Sequence, residues 1–210
     1  PDFDDAAWRK VDLPHDYAIE GPFTTAVSGS TGRLKSSGVA WYRKVLDIPA
    51  GDKGKSIFLD IDGAMSYSMV WLNGRFVGGW PYGYTSYRLN LTPYVQPGGK
   101  NVLAIRLDNP VPRDTDWRSA TTRWYPGAGL YRNVWLVKTS PVHISQWGTY
   151  ITTPEVTTAS ARVDLTLSVD NDSKQDAAVS VSTQIFEIDR EDRKSRTAVA
   201  SFAPVPMRIA

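Results

Sequence analysis

An all-β fold is predicted: a jelly-roll β-sandwich over residues 1–140, followed by a partial immunoglobulin-like β-sandwich over residues 141–210. Three observations predict it. Nearly every periodic segment repeats every two residues rather than every 3.6. Turn-forming clusters recur between those segments. No capped amphipathic stretch of about twelve residues, the minimum for a stable helix, is present.

The elements follow in order. From Trp41 to Ile48, Tyr42, Leu46 and Ile48 share one face, while Arg43, Val45 and Asp47 share the other. Ile57, Leu59 and Ile61 alternate with Phe58, Asp60 and Asp62. Val70 to Val77 reads as a hairpin, because Asn73-Gly74 between two apolar runs supplies the positive φ angles of a type I′ turn. Gly51 to Gly54 and Gln96 to Lys100 are further turns, and Leu91 to Val95 has room for one helical turn. Leu103, Ile105 and Leu107 form one face of a strand that carries Ala104 and Arg106 on the other. Val134 to Val137 is a nearly continuous apolar run, which predicts a strand buried on both sides.

Composition changes near Ser140-Pro141, from Trp, Tyr and Gly to Thr, Ser and Val. Val163 to Val169 and Val179 to Ile185 alternate cleanly, with Asp170 to Lys174 as the turn between them. A third strand is expected from Thr197 to Phe202, after a charged loop over Asp189 to Arg196. About 60 residues follow Tyr150, whereas a complete immunoglobulin-like domain takes about 100. The second domain is therefore expected to be truncated, and poorly ordered or paired with a neighbour through its bare strand edges.

Bulk properties exclude several function classes. Net charge is +2 over 210 residues, with both signs interspersed and no basic stripe, so nucleic acid is not an expected partner. No apolar run approaches the ~20 residues of a membrane helix. With no cysteine, two histidines and no clustered His/Asp spacing, neither a metal site nor a cofactor is expected. Eight Trp and ten Tyr against six Phe favour rings with a polar handle, which suit wet aromatic surfaces.

Catalytic carboxylates are not in evidence. The four glutamates Glu20, Glu155, Glu187 and Glu191 read as solvated surface groups, and no pair is placed to converge. His143 lies in an alternating strand and reads as structural. His15, in Leu13-Pro14-His15-Asp16-Tyr17, sits on a Pro-stiffened loop. With Asp16 it could meet a hydroxyl-rich ligand; a hydrogen-bonding hub that ties the loop to the sandwich is the preferred account. Gly78-Gly79 and Gly127-Ala128-Gly129 are not phosphate loops, since no Lys-Ser/Thr follows them. Trp80 to Tyr84 and Trp124 to Gly127 place rings in Pro/Gly-stiffened loops, where binding residues usually lie. A pyranose needs a flat ring with Asp, Asn or Arg close by, and Asn109, Asp116, Arg123 and Trp124 supply that inventory within a short span.

Six motifs occur in order: Leu13 to Tyr17, Gly63-Ala64-Met65, Val70 to Gly74, Tyr82-Gly83-Tyr84, Leu107 to Pro110, and Arg123 to Arg132. Together they resemble the sugar-binding domain of glycoside hydrolase family 2, with the β-galactosidase branch nearest. The resemblance runs from about Trp8 to Tyr150; Ile151 onward resembles that family's first immunoglobulin-like domain. It implies a galactose-binding-like jelly roll placed ahead of a (β/α)₈ barrel that carries two glutamates for retaining hydrolysis. The barrel, its partner, is absent from this chain, so the chain alone is expected to be inactive. It also implies a terminal β-galactoside as the sugar met in the full enzyme, with β-glucuronidase, β-mannosidase or a stand-alone carbohydrate-binding module as rivals. Asn109 matches an Asn that reaches the sugar in galactosidase relatives. The matching Asp should directly precede Arg123, but Thr121 and Thr122 stand there, which makes Asp116 the substitute candidate. Tyr17 stands where the family more often has Trp. A bacterial periplasmic or secreted location is expected, and homo-oligomerisation through other domains is left open.

Overall fold

The computed structural model describes residues 2–21, 38–109 and 127–210. The chain divides into two compact units, Pro1–Lys138 and Thr139–Ala210.

The first unit packs two sheets face to face. One has the order β1 (Gly38–Leu46), β6 (Asn101–Asn109), β3 (Ser68–Leu72), β4 (Arg75–Trp80), with antiparallel neighbours throughout. The other has the order β5 (Tyr87–Asn90), β2 (Ser56–Ile61), β7 (Val134–Thr139). Between them lies a continuous core that includes Ile57, Leu59 and Ile61 of β2, Val70 and Leu72 of β3, and Leu103, Ile105 and Leu107 of β6. Period-two alternation is what builds this layer: inward residues of both sheets interdigitate, as in any aligned sandwich.

Local chemistry fixes the connections. Asn73 and Gly74 both have positive φ, 53° and 79°, as a two-residue hairpin turn requires. Asn73 is also an anchor, because its Oδ1 accepts Val102 N–H at 2.9 Å and its Nδ2 donates to Asn101 Oδ1 at 3.1 Å. Asn101 is fully buried, and its amide also satisfies the backbone of Gln96 and Gly99. Leu91 to Val95 makes one helical turn, with both Tyr94 and Val95 N–H bonded to the Leu91 carbonyl. This polar plug closes one end of the sandwich, where Leu46 pairs with Asn101. Gly38 pairs with Asn109 at the other end.

One expectation fails in this unit. Val134 to Val137 is not buried on both sides. β7 is a sheet edge; Val134 and Leu136 pack on the core, while Trp135 is 53% exposed and donates Nε1–H to Asp62 Oδ2 at 3.1 Å.

In the second unit, β8 (Val142–Val156) and β9 (Ala161–Asn171) form a long antiparallel hairpin with two register shifts. β10 (Ala177–Val181) pairs with β13 (Val205–Ile209), and β11 (Gln184–Ile188) pairs with β12 (Lys194–Ser201). The single strand expected from Val179 to Ile185 is therefore two. The chain changes partners at Ser182-Thr183, where Phe202 N–H bonds to the Thr183 carbonyl. β12 also starts earlier than expected, at Lys194, because Lys194 pairs with Ile188 and lays its ammonium over the Phe186 ring. Sheets made by alternating strands of this kind are what the chain shows in both units; the all-β class holds throughout.

Candidate functional site

The open end of the first unit is built from short, far-separated segments. Asp16 is the N-cap of a 3₁₀ turn, Tyr17–Glu20, and its Oδ1 accepts Ala18 N–H at 2.9 Å. A capping carboxylate is the expected partner for an otherwise orphan amide. The same oxygen accepts Ala128 N–H at 3.0 Å, so one side chain joins the turn to the Gly127–Leu130 segment. Backbone bonds reinforce the join: His15 N–H to the Leu130 carbonyl at 2.8 Å, and Tyr17 N–H to that of Ala128 at 3.1 Å. On its other side the segment is held by Met65, whose backbone exchanges two hydrogen bonds with Gly129. Gly129 sits at φ 108°, and a Cβ there would come within 2.6 Å of both the His15 carbonyl and the Tyr42 hydroxyl. Only glycine fits.

Asn109 ends β6 and is 6% exposed. Its Nδ2 donates to the Gly127 carbonyl at 3.2 Å. Ser66 Oγ donates to the Asp108 carbonyl at 3.1 Å and lies 3.4 Å from Asn109 Oδ1. Residues on either side of the 110–126 span are thus clasped to each other. Gly21 and Gly38, which flank the 22–37 span, adjoin the same place: Gly38 pairs with Asn109, and Gly21 ends the turn that Asp16 caps.

Below the rim lies a charged cluster. His15 Nδ1 is 2.7 Å from Tyr42 Oη, and its Nε2 is 3.0 Å from Glu20 Oε1. Arg9 Nη2 donates to Glu20 Oε2 at 2.6 Å. Burial pushes the Tyr42 hydroxyl up to about 12, a rise partly offset by a backbone hydrogen bond from Leu130 and reinforced by Tyr17, Asp16 and Glu20. The hydrogen bond from Arg9, helped by His15, holds the Glu20 carboxyl below its ordinary value against a smaller desolvation effect. Burial, with Asp16 and Asp108 nearby, raises Tyr17.

Rings crowd the neighbouring corner. Tyr67 N–H bonds to the Pro81 carbonyl at 3.1 Å, which brings the Ser66–Tyr67 corner to the Trp80–Tyr84 loop. Tyr82 and Tyr84 meet edge to face at 5.6 Å, and Tyr131 Oη donates to the Gly83 carbonyl at 2.7 Å. Met65 packs where a Gly83 Cβ would lie. Tyr82 is 56% exposed. Trp80 is committed elsewhere: it stacks on Tyr87 and donates Nε1–H to Thr85.

Of the six residues singled out from the sequence, the structure brings Asn109, His15 and Asp16 to one rim; Asp116, Arg123 and Trp124 lie outside the described residues. The three placed residues spend their polar atoms on the chain itself. Sequence reading missed Ser66, Tyr42 and Glu20. Glu20 is an exposed surface carboxylate, as expected, but one that pairs with Arg9 and His15. Glu155 and Glu191 are exposed and pair with Arg162 and Arg193. Among the described residues no group of three His, Asp or Glu is placed to hold a metal ion.

Comparison with known proteins gives this rim a lineage. The family description "Glycosyl hydrolase 2 galactose-binding domain-like" matches residues 11–158. Beta-galactosidase BoGH2A of Bacteroides ovatus is 40% identical over 200 residues, covering 94% of this chain and 23% of that protein. A putative beta-glucuronidase of Formosa agariphila is 33% identical over 162 residues, 74% of this chain and 15% of its own length. A crystal structure of a glycosyl hydrolase family 2 member from Bacteroides cellulosilyticus superposes with a TM-score of 0.81 at 32% identity, over 99% of this chain and 27% of that one. The chain therefore spans about a quarter or less of the length of these relatives. Since the family match covers most of the chain, including every described segment of the rim from Leu13 onward, the chain belongs to glycoside hydrolase family 2, as its galactose-binding-like β-sandwich region.

Proposed function

We propose that this chain frames the sugar site of a retaining exo-glycosidase acting on terminal β-galactosides, whose catalytic barrel lies elsewhere in the polypeptide. The observation that carries the reading is the convergence of the residues flanking both the 22–37 and 110–126 spans on one rim. A rigid sandwich with segments anchored at one end is a common way to present ligand contacts. Asp116, Arg123 and Trp124 are the proposed sugar contacts. Asn109, His15 and Asp16 act on the same site from beneath, by holding the segments that lead to them. Hydrolysis itself is assigned to two barrel glutamates, one acid/base and one nucleophile, so the chain alone hydrolyses nothing.

The choice of a galactoside is supported by the more similar of the two curated relatives above, named a beta-galactosidase. The Formosa relative, named a putative beta-glucuronidase, supports a β-glucuronide as the second reading. Kinetics of the full-length enzyme on the nitrophenyl β-galactoside and β-glucuronide separate them, and activity on neither defeats both. Titrating this chain with galactosides tests the third reading, an autonomous binding module. Sub-millimolar binding supports that module. An isolated rim buries too little of a sugar to orient it, so no binding is expected.

A further inference from the structure

The outward face of the four-stranded sheet does not carry what an antiparallel sheet normally shows to water. Leu103, Ile105 and Leu107 of β6 turn to the core, so the alternate positions face out, where polar side chains are the rule. Instead, Trp71 of β3 stands in register between Ala104 of β6 and Phe76 of β4, and Trp41 of β1 lies opposite Arg106. Trp41 and Trp71 are 5.4 Å apart at 33°, and Phe76 follows Trp71 at 5.5 Å. Ala104 is small and leaves a trough beside these rings. A second ring pair, Phe3 and Trp8, meets edge to face at 5.4 Å and also lines it. The resulting groove has a volume of about 410 Å³, within the range of ligand pockets. Gly74 and Val102 place it toward the closed end of the sandwich, away from the rim.

The groove's chemistry says what fits. Its rings are open: Trp41 is 46%, Phe76 52% and Phe3 61% exposed, and a contiguous apolar display of this kind marks a binding surface. Among the described residues, none of Trp8, Trp41 and Trp71 donates its Nε1–H to a protein acceptor, whereas Trp80 and Trp135 donate theirs to Thr85 and Asp62. An apolar ring face with a free donor at its edge matches a pyranose, whose C–H faces are bordered by hydroxyls. Charged groups stand nearby as pairs, Arg43 with Asp5 and Arg106 with Asp108, within reach of such hydroxyls. An apolar side chain from a protein partner needs neither the free donors nor these pairs.

We propose that this groove is a second saccharide site, which holds an extended glycan by stacking its pyranose rings on Trp41 and Trp71. The row of three rings is longer than one sugar, so the ligand is a chain and not a monosaccharide. Open on one side and short of hydrogen bonds, the groove binds weakly, below the sub-millimolar affinity that would mark an autonomous module at the rim. The site goes beyond the function proposed above and does not depend on the reaction assigned there.

The test uses the full-length enzyme. In native gels cast with soluble β-galactan or β-glucan, it should be retarded relative to a gel without polymer. Retardation by neither overturns the proposal. Trp71→Ala removes the central ring, and Ala104→Gln fills the trough without touching a ring. Each should weaken the apparent affinity about fivefold or more, the loss of roughly one stacking contact. Trp135→Ala, which removes an exposed tryptophan outside the groove, should keep the retardation, and an equal loss there overturns the site. An unchanged thermal midpoint shows that each variant is folded. Equal retardation in folded Trp71→Ala and Ala104→Gln also overturns it. Hydroxyl-radical footprinting of the unaltered enzyme locates the contact: oxidation of Trp41 and Trp71 should fall when β-galactotetraose is added. Rings already protected without saccharide would mean that another part of the polypeptide fills the groove, which overturns the saccharide site. An enzyme inactive on every glycoside, yet retarded through these rings, defeats the proposed function alone.

Discussion

The two units of this chain obey the same period-two pattern and reach different results. In the first, alternation closes on itself: fourteen residues, ten from the two sheets and four from the connections between strands, form one core, among them Ile57, Ile61, Val70, Leu72, Leu91 and Leu107 at 0% exposure. In the second, every residue from Thr139 to Ala210 remains at least partly exposed. Val163, Leu165 and Ile151 are 41%, 37% and 59% exposed, and Ile188, Val199 and Val205 exceed half. Alternation therefore specifies strands and their faces, while a core requires a second layer for those faces to meet. The second unit has five hydrogen-bonded strands after β8 and apolar faces with no such layer among the described residues.

Substitutions in both units test this contrast. The largest effect is expected for Leu107→Ala, which empties a fully buried site and should cost about 2–5 kcal/mol in urea unfolding. Asn101→Ala comes next, at about 1–3 kcal/mol, because the backbone groups of Gln96 and Gly99 and the amide of Asn73 lose a buried partner. Gly129→Ala should cost a similar ~1–3 kcal/mol through forced positive φ. It should also speed amide exchange at Ala128 and Leu130. Leu165→Ala, the matched truncation in β9, should cost under ~1 kcal/mol, as a half-open site forfeits little burial. If Leu165→Ala were as damaging as Leu107→Ala, the contrast between the units would be false.

The smallest effect concerns acid. Asp52 bridges the Ala50–Asp52 turn to β7 through Lys138 at 2.6 Å and pairs with Lys55 at 2.8 Å. Hydrogen bonds from Lys138 and then Lys55 hold its carboxyl below the ordinary value. A depressed folded-state value means that the unfolded chain binds the proton more readily. The contribution is therefore complete above the ordinary aspartate range near ~4 and fades as pH falls through the lower folded value. Asp52→Asn should flatten the urea midpoint below about pH 4 and leave its slope unchanged near neutrality. A midpoint that falls with acid equally in both proteins would remove Asp52 from the acid response.

What could be read from the sequence was what neighbouring residues decide. Asn73-Gly74 dictates its turn because both φ angles are local properties, and the faces of β2 and β6 follow from alternation alone. The misreadings were nonlocal. Nothing in Val134 to Val137 records that β7 lies at a sheet edge, so the apolar run suggested burial that Trp135 does not have. Alternation runs unbroken through Ser182-Thr183, although the chain changes partners there. The rim was half legible: the motifs containing His15, Asp16, Asn109 and Gly129 marked it, but the pairings to Tyr42, Ser66 and Glu20 depend on folding. Glu20 is exposed as the sequence suggested, but its pairing with Arg9, eleven positions away, was not legible there.

The Asn109–Gly127 clasp has an evolutionary corollary. Pinning a span at its neck decouples what happens between the pins from the scaffold beneath, and lengthening a tethered excursion carries only a slowly growing entropic penalty. On the function proposed above, positions 110–126 can then be rewritten without re-solving the packing of the sandwich. On that same proposal, one buried amide separates the evolution of the sugar contacts from that of the fold.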